Sequence, residues 1–301
     1  MSRAPISAAR RATIHGLLFA SPWLVGLCVF VAYPIAASLF YSFCDFDAIR
    51  PPHWVGLANY RTMLLEDELF WKSLWNTLYM VAVGLPIGLV ASLAIALLLN
   101  QKLAGMAFYR TLYYLPSITP IVATSILWLW LLNPQMGLVN IVLQWLGVHS
   151  PPAWLQDPAW SKPALILMGL WGVGGGMVIY LAALQDVPES LHEAAQLDGA
   201  TGLQRFRHVT LPMLSPVILF NLVMGLIGSF QYFTQAYVMT SGGPLDSTNF
   251  YALHLFNRAF LDFRMGYASA MAWVLFIVTL GCTVVVLKSS ARWVYYEGEG
   301  R

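Results

Sequence analysis

Charge is what this chain has least of. Only 10% of its 301 residues are Asp, Glu, Lys or Arg, against 58% apolar residues; a water-soluble domain of this size carries about 25% charged residues. That deficit excludes a chain whose whole surface faces water. The net charge of +2 leaves no basic footprint for nucleic acid. Cysteine is scarce and odd in number: Cys28, Cys44 and Cys282 make neither a disulfide framework nor a CxxC metal site and read as small apolar side chains. No GxxxxGK[ST] occurs, so the chain has no such loop to cradle nucleotide phosphates. HExxH and GxSxG are also missing, and the six histidines fall near the ends of apolar runs or between them. No catalytic residue and no metal site is expected.

What is there is long apolar sequence. Charge-free windows run roughly over 16–43, 73–99, 111–132, 163–185, 213–236 and 265–287. Each is close to or above the ~20 residues that cross ~30 Å of hydrocarbon at 1.5 Å per residue. Lipid offers backbone groups no partner, so the spans must be helices. The expected fold class is an all-α integral membrane protein with six transmembrane helices. The first window follows Arg3, Arg10 and Arg11 and outruns the ~7–15-residue core of a cleavable signal, so it is expected to stay as an anchor. Placing both termini in the cytoplasm puts Arg3, Arg10, Arg11, Lys102, Arg110, Arg205, Arg207, Lys288, Arg292 and Arg301 inside and six basic residues outside, a modest bias in the expected direction. The chain then divides into a cytoplasmic segment 1–15, a membrane domain 16–287 with an inside loop at 186–212, and a cytoplasmic tail 288–301.

The windows hold no carboxylate. Proton- or sodium-driven carriers bury ionisable groups at their coupling site, so a stand-alone secondary carrier finds no support and the energy must come from outside the spans. An intramembrane hydrolase would need a catalytic pair at depth; Ser229 follows Gly228, but no histidine accompanies it.

Between the spans, 44–72 is polar, with Glu66-Asp67-Glu68 and a stiffening Pro51-Pro52. Segment 133–162 contains the short apolar piece Leu138–Leu146, expected as a surface-lying helix, and Trp145, Trp154 and Trp160 suit a headgroup layer. Segment 237–264 opens with the turn signal Ser241-Gly242-Gly243-Pro244. In the second span Gly84, Gly88, Ser92 and Ala96 repeat every four residues and are expected to let another helix approach closely. Pro86 is expected to bend the same helix.

Local chemistry writes a helix, a glycine turn and a second helix into 186–212. Pro188 suits a first helical turn, Asp198-Gly199 a stop with positive φ at Gly199, and Thr201 with Gln204 a capping box. Leu191, Ala194, Ala195, Leu203 and Phe206 supply apolar contacts. On spacing alone this also fits an amphipathic connector at the membrane surface.

The loop reads Glu193-Ala194-Ala195, three residues, Gly199, nine residues, an aliphatic, one residue, and Leu211-Pro212. That pattern resembles the cytoplasmic loop of binding-protein-dependent ABC import permeases. Other motifs of that family follow in order: Asn59-Tyr60, Trp75-Asn76-Thr77, Tyr109-Arg110-Thr111, Leu115-Pro116, Asn133-Pro134 with Gly137 to Asn140, Leu184-Gln185 with Pro188, Ser241 to Pro244, and Met265 to Ala270. They cover nearly the whole chain from Ser21, and they are similar to the carbohydrate-uptake permeases of the maltose and glycerol-3-phosphate type. His192 departs from a frequent Tyr. The resemblance implies a type I importer fold in a bacterial cytoplasmic membrane, with a second permease, two ATPase subunits that bind ATP and Mg, and an extracytoplasmic sugar-binding protein docked on 44–72, 133–162 and 237–264. It implies that Glu193, Ala194, Ala195, Asp198, Gly199, Leu211 and Pro212 form the ATPase-coupling loop. It leaves this chain without an enzymatic site.

For the passage, a sugar needs hydrogen-bonding groups and flat apolar faces. Ser117 and Thr119 stand between Pro116 and Pro120, Trp171 stands beside a glycine run, and Asn221, Ser229, Gln231, Tyr232 and Gln235 lie in or beside the fifth window. By resemblance to the maltose-type permease, Ser117, Gly174, Gly176, Ser229 and Tyr232 match pocket positions; Thr119, Trp171, Gln231 and Gln235 are added on chemistry. Packing is the competing reading: Gly172 and Gly176 also make GxxxG, and Ser or Thr in a membrane helix commonly bonds its own backbone. The expected solute is a sugar or polyol. A permease for a non-sugar solute, such as a peptide or polyamine, is the alternative, although no span carboxylate would meet a polyamine.

Overall fold

The computed structural model describes residues 8–101 and 103–295. Arg3, Lys102 and Arg301, counted above for orientation, lie outside the described residues, as do the side chains of Arg10 and Arg11 and the two terminal stretches 1–7 and 296–301. Among the described residues, four helices are long and apolar enough to cross a membrane: His15–Ser42, Glu68–Leu99, Gly202–Phe230 and Met265–Ser290. Two further pairs pass together but are bent, Met106–Ile118 with Ile121–Leu131 by 99° and Pro158–Trp171 with Gly174–Gln185 by 48°. Counting each bent pair once gives the six spans read from the windows.

The proline effects are specific. Pro34, Pro86 and Pro212 each sit at the start of an α-helical stretch directly after a five-residue π-turn, at Cys28–Ala32, Met80–Gly84 and Phe206–Thr210. Proline cannot donate to the helical ladder and its ring crowds the preceding turn; a wider turn absorbs both problems without ending the helix. Pro116 and Pro120 act differently. They flank a 3-10 turn at Leu115–Ile118, and Thr119 adopts an extended backbone, so the third span breaks there.

Two compact units result, Met1–Glu66 with Asn257–Val274, and Asp67–Phe256 with Leu275–Arg301. In the first, the short antiparallel pair Cys44–Asp45 and His53–Trp54 follows the first span. The Asn59 amide donates to the carbonyls of Ser42 and Cys44, both at 2.9 Å, and the Tyr60 hydroxyl donates to Ser42 Oγ at 2.8 Å. A Cβ on Gly266 would collide with the Cys44 carbonyl, so the approach of the last span's start to that carbonyl demands glycine.

In the second unit, Asp67 caps the second span by accepting from the amides of Leu69 and Phe70. The helix therefore begins at Glu68, five residues before the charge-free window. One apolar core packs Met80, Trp128, Leu165, Met168, Phe250 and Leu253; another packs Ala96, Met177, Tyr180, Leu184 and Leu214. The small-residue stripe is a packing surface at Gly84, Ser92 and Ala96, whereas a Cβ on Gly88 would meet nothing within 4 Å. Ser92 and Ala96 are buried, and a Cβ on Gly176 would stand 3.0 Å from Ser92 Oγ. Arg110 closes the far end of the second span by donating to the Leu99 carbonyl from Nη2 and Nε, at 3.0 and 3.3 Å.

One expectation needs correction. The fifth span stops at Phe230, not 236: Gln231–Phe233 break it, and a separate helix Thr234–Met239 follows. Apolarity continues through the break, so a charge window could not see it. Trp154 Nε1 donates to Asn140 Oδ1 at 2.7 Å and its ring meets Trp160 edge-on. Trp145, at the end of the expected short helix Leu138–Trp145, is 86% exposed. The segment 240–256 is packed inside the second unit. Asn76 Nδ2 donates to the carbonyls of Asp246 and Asn249, Thr77 Oγ1 accepts from the Tyr251 amide, and His254 Nε2 lies 3.1 Å from Asp67 Oδ2 with both side chains buried.

Candidate functional site

The 186–212 segment folds as its local chemistry dictates. Pro188 stands just before the helix Glu189–Leu197, one residue earlier than expected, with extended ψ. The helix ends through amides that turn back on it: Gly199 donates to the Gln196 carbonyl at 3.0 Å and Ala200 to the Ala195 carbonyl at 2.9 Å. Gly199 has φ +79°, and a Cβ there would meet nothing within 4 Å. Backbone conformation, rather than space, demands glycine. Next comes the capping box: Gln204 Oε1 accepts from the Thr201 amide at 2.7 Å, and Thr201 Oγ1 accepts from the Gln204 amide at 3.4 Å. Every turn of this elbow is closed by its own hydrogen bonds, so it is stiff.

The second arm of the elbow does not stop at the loop. Gly202–Phe230 is one helix of 29 residues, about 43 Å long at 1.5 Å per residue. Leu211 and Pro212 sit inside it, directly after the π-turn. The elbow leaves large apolar side chains open: Leu197 is 90% and Leu203 76% exposed, and Leu191, Glu193 and Ala194 are exposed too, while Ala195 is half-buried.

The passage residues separate into groups. Ser229 and Tyr232 share a groove of about 170 Å³ with Met80, Gly84, Gly88 and Gly169. Gln231 is exposed in the break and Gln235 half-buried on the following helix. Gly174 and Gly176 are contact points: a Cβ on Gly174 would collide with the Tyr113 carbonyl. Ser117 Oγ donates to the Tyr114 carbonyl at 2.7 Å and Thr119 Oγ1 to that of Leu115 at 3.4 Å, so both hydroxyls bond their own backbone. Trp171 is 39% exposed and meets Trp128 edge-on at 6.4 Å. Sequence reasoning passed over a larger cleft of about 410 Å³, lined by Asn133, Pro134, Gln156, Thr240, Gly243 and Pro244. The Asn-Pro and Gly-Gly-Pro motifs were the available signals, but nothing in one dimension brings them together.

Residues 84–295 match the model of the binding-protein-dependent transport system inner membrane component. The chain belongs to that family. It is a multi-pass inner-membrane permease, and its relatives are transporter permease proteins. The permease is 43% identical to the probable ABC transporter permease protein YesP of Bacillus subtilis, over 96% of this chain and 94% of that one. It is 35% identical to the lactose transport system permease protein LacF of Rhizobium radiobacter, over 88% and 90%. Among solved structures it superposes with TM-score 0.82 and 25% identity on a chain of a bacterial ABC transporter involved in importing the acidic polysaccharide alginate, covering 94% of the permease and 98% of that chain. The type I importer permease fold expected from the motifs is therefore the fold of this chain.

Proposed function

We propose that the permease is the membrane subunit of an ATP-driven sugar or polyol importer, fed by an extracytoplasmic binding protein and moved by an ATPase at 186–212. The observation that carries this reading is the single helix Gly202–Phe230. Its first turn is the capped arm of the elbow, and its last turn carries Ser229 in the groove with Tyr232. A push on the elbow is a push on the groove wall, because a continuous helix transmits displacement that a flexible loop would absorb. Relatives over nearly the whole chain carry lactose and trehalose/maltose in their names, which supports a saccharide solute.

Both termini and the elbow face the cytoplasm in this reading, where the ATPase finds ATP. Glu193, Ala194, Ala195, Asp198 and Gly199 present the elbow, and Leu211 and Pro212 join it to the span. ATP and Mg are bound by two ATPase subunits, not by this chain. A second permease completes the passage. Solute enters from a binding protein docked on 44–72, 133–162 and 237–264, is held near Ser229 and Tyr232, and is released inward when the bundles rock. No bond in the solute changes. Ser117, Thr119, Trp171, Gln231 and Gln235 are assigned to the passage walls, and Gly174 and Gly176 to the close packing that shapes them. The test is to purify the tagged permease from its native membrane, identify the subunits that come with it and screen saccharides for stimulated ATP hydrolysis. An ATPase retained and stimulated by a saccharide supports the reading. Solute movement by the purified permease alone overturns it.

A further inference from the structure

A cleft of about 320 Å³ lies between the two arms of the elbow. Ala195, Asp198, Gly199, Ala200, Arg205 and His208 line it. Small side chains form the wall on the first arm, and a Cβ at Gly199 would project into open space. Arg205 stands opposite on the second arm. Its Nε–H is buried and has no hydrogen-bond partner among the described residues. None of the ion pairs among the described residues joins it to Asp198. His208 supplies no acceptor for that donor through Nδ1, which is turned to the Gln204 carbonyl at 3.0 Å.

The buried Nε–H is closed to anything entering the cleft, so the Nη edge of the guanidinium is what a partner can reach. The group that fits that edge is a carboxylate, whose two oxygens match its two N–H donors. The small-residue wall leaves room for a side chain to reach in. We propose that this cleft receives an Asp or Glu side chain of the ATPase subunit, and that Arg205 is its receptor. Resting on the reading of 186–212 as the ATPase contact, this makes docking two-sided: apolar side chains of the elbow enter the ATPase, and one acidic side chain of the ATPase enters the elbow.

The experiment uses the assembled transporter carrying the substitution R205K. This conservative change places a primary amine in the cleft, and a water-soluble carbodiimide joins amines to carboxylates they already touch. The expected result is a zero-length cross-link from position 205 to an Asp- or Glu-containing peptide of the ATPase, identified by mass spectrometry and absent from the unsubstituted protein. A companion R205E change is expected to lower ATPase retention on the permease at least tenfold, while R207Q, at an exposed neighbour, leaves it unchanged. If the amine links only to the permease's own Asp198, to lipid or to nothing while the ATPase stays bound, the acidic receptor is overturned and the docking reading stands. If no ATPase is retained by the unsubstituted permease, the docking reading itself fails.

Discussion

Two connecting segments of the second unit, 186–212 and 240–256, solve opposite problems. In 240–256 Ser247, Thr248, Asn249 and His254 are buried, and the segment is tied to the helices. Asn76 holds two of its carbonyls, Lys162 Nζ donates to Asn76 Oδ1 at 3.0 Å, Ser161 and Ser247 share a hydrogen bond at 2.8 Å, and buried His254 meets Asp67. The segment is held by its own chain. In 186–212 the hydrogen bonds are local, spent on closing a turn and capping a helix, and the large apolar side chains Leu197 and Leu203 point out. Turn and cap amides satisfied within the elbow, with apolar groups left over, mark a surface finished by something else. One segment is bolted to the bundle; the other is a handle on it.

Substitutions can break or sharpen that contrast. The largest effect on stability is expected for Asn76→Leu. It removes both donors to 240–256 and leaves the Lys162 ammonium without its acceptor, at a cost of about 3 kcal/mol; a lower unfolding midpoint of the detergent-solubilised protein checks this. Next comes Gly199→Val, which forces a β-branched residue to φ +79° and costs roughly 1–2 kcal/mol in the elbow. The bundle is expected to melt almost unchanged while uptake uncouples from ATP hydrolysis, and normal uptake in that variant would remove the elbow from the mechanism. The smallest shift in stability belongs to Leu203→Ala, within about 0.5 kcal/mol because the side chain touches little. Its expected effect is instead weaker retention of the ATPase in pull-down. Should Leu203→Ala destabilise the isolated protein as much as Asn76→Leu, the distinction between handle and bolt is lost.

The elbow was legible residue by residue because its determinants are local. A stop glycine needs positive φ, and a capping Thr closes a box with the Gln three positions on; both are written within seven residues. The spans were legible for a similar reason, since apolarity over about 20 residues is a sufficient cause of insertion. Their ends were not. Asp67 extends the second span past charged Glu68 and Lys72, and Gln231–Phe233 end the fifth inside apolar sequence, because capping and backbone breaks do not follow hydropathy. The passage was legible only in part. Ser229 and Tyr232 do share a groove, yet its other wall comes from Met80, Gly84 and Gly88 of the second span, more than 140 positions away. The inward folding of 240–256 was invisible for the same reason: Asn76 and Asn249 meet across 173 positions.

Everything in the mechanism turns on Gly202–Phe230 moving as one piece. The direct measurement is a pair of spin-label distances in the assembled transporter, with and without nucleotide: Arg207 to Met224 along the helix, and Arg207 to Val90 on the second span, all exposed positions. A stiff lever keeps the first distance at about 25 Å in both states while the second shifts. A first distance that shortens or broadens on nucleotide binding, with the second unchanged, would show that the helix absorbs the stroke instead of delivering it.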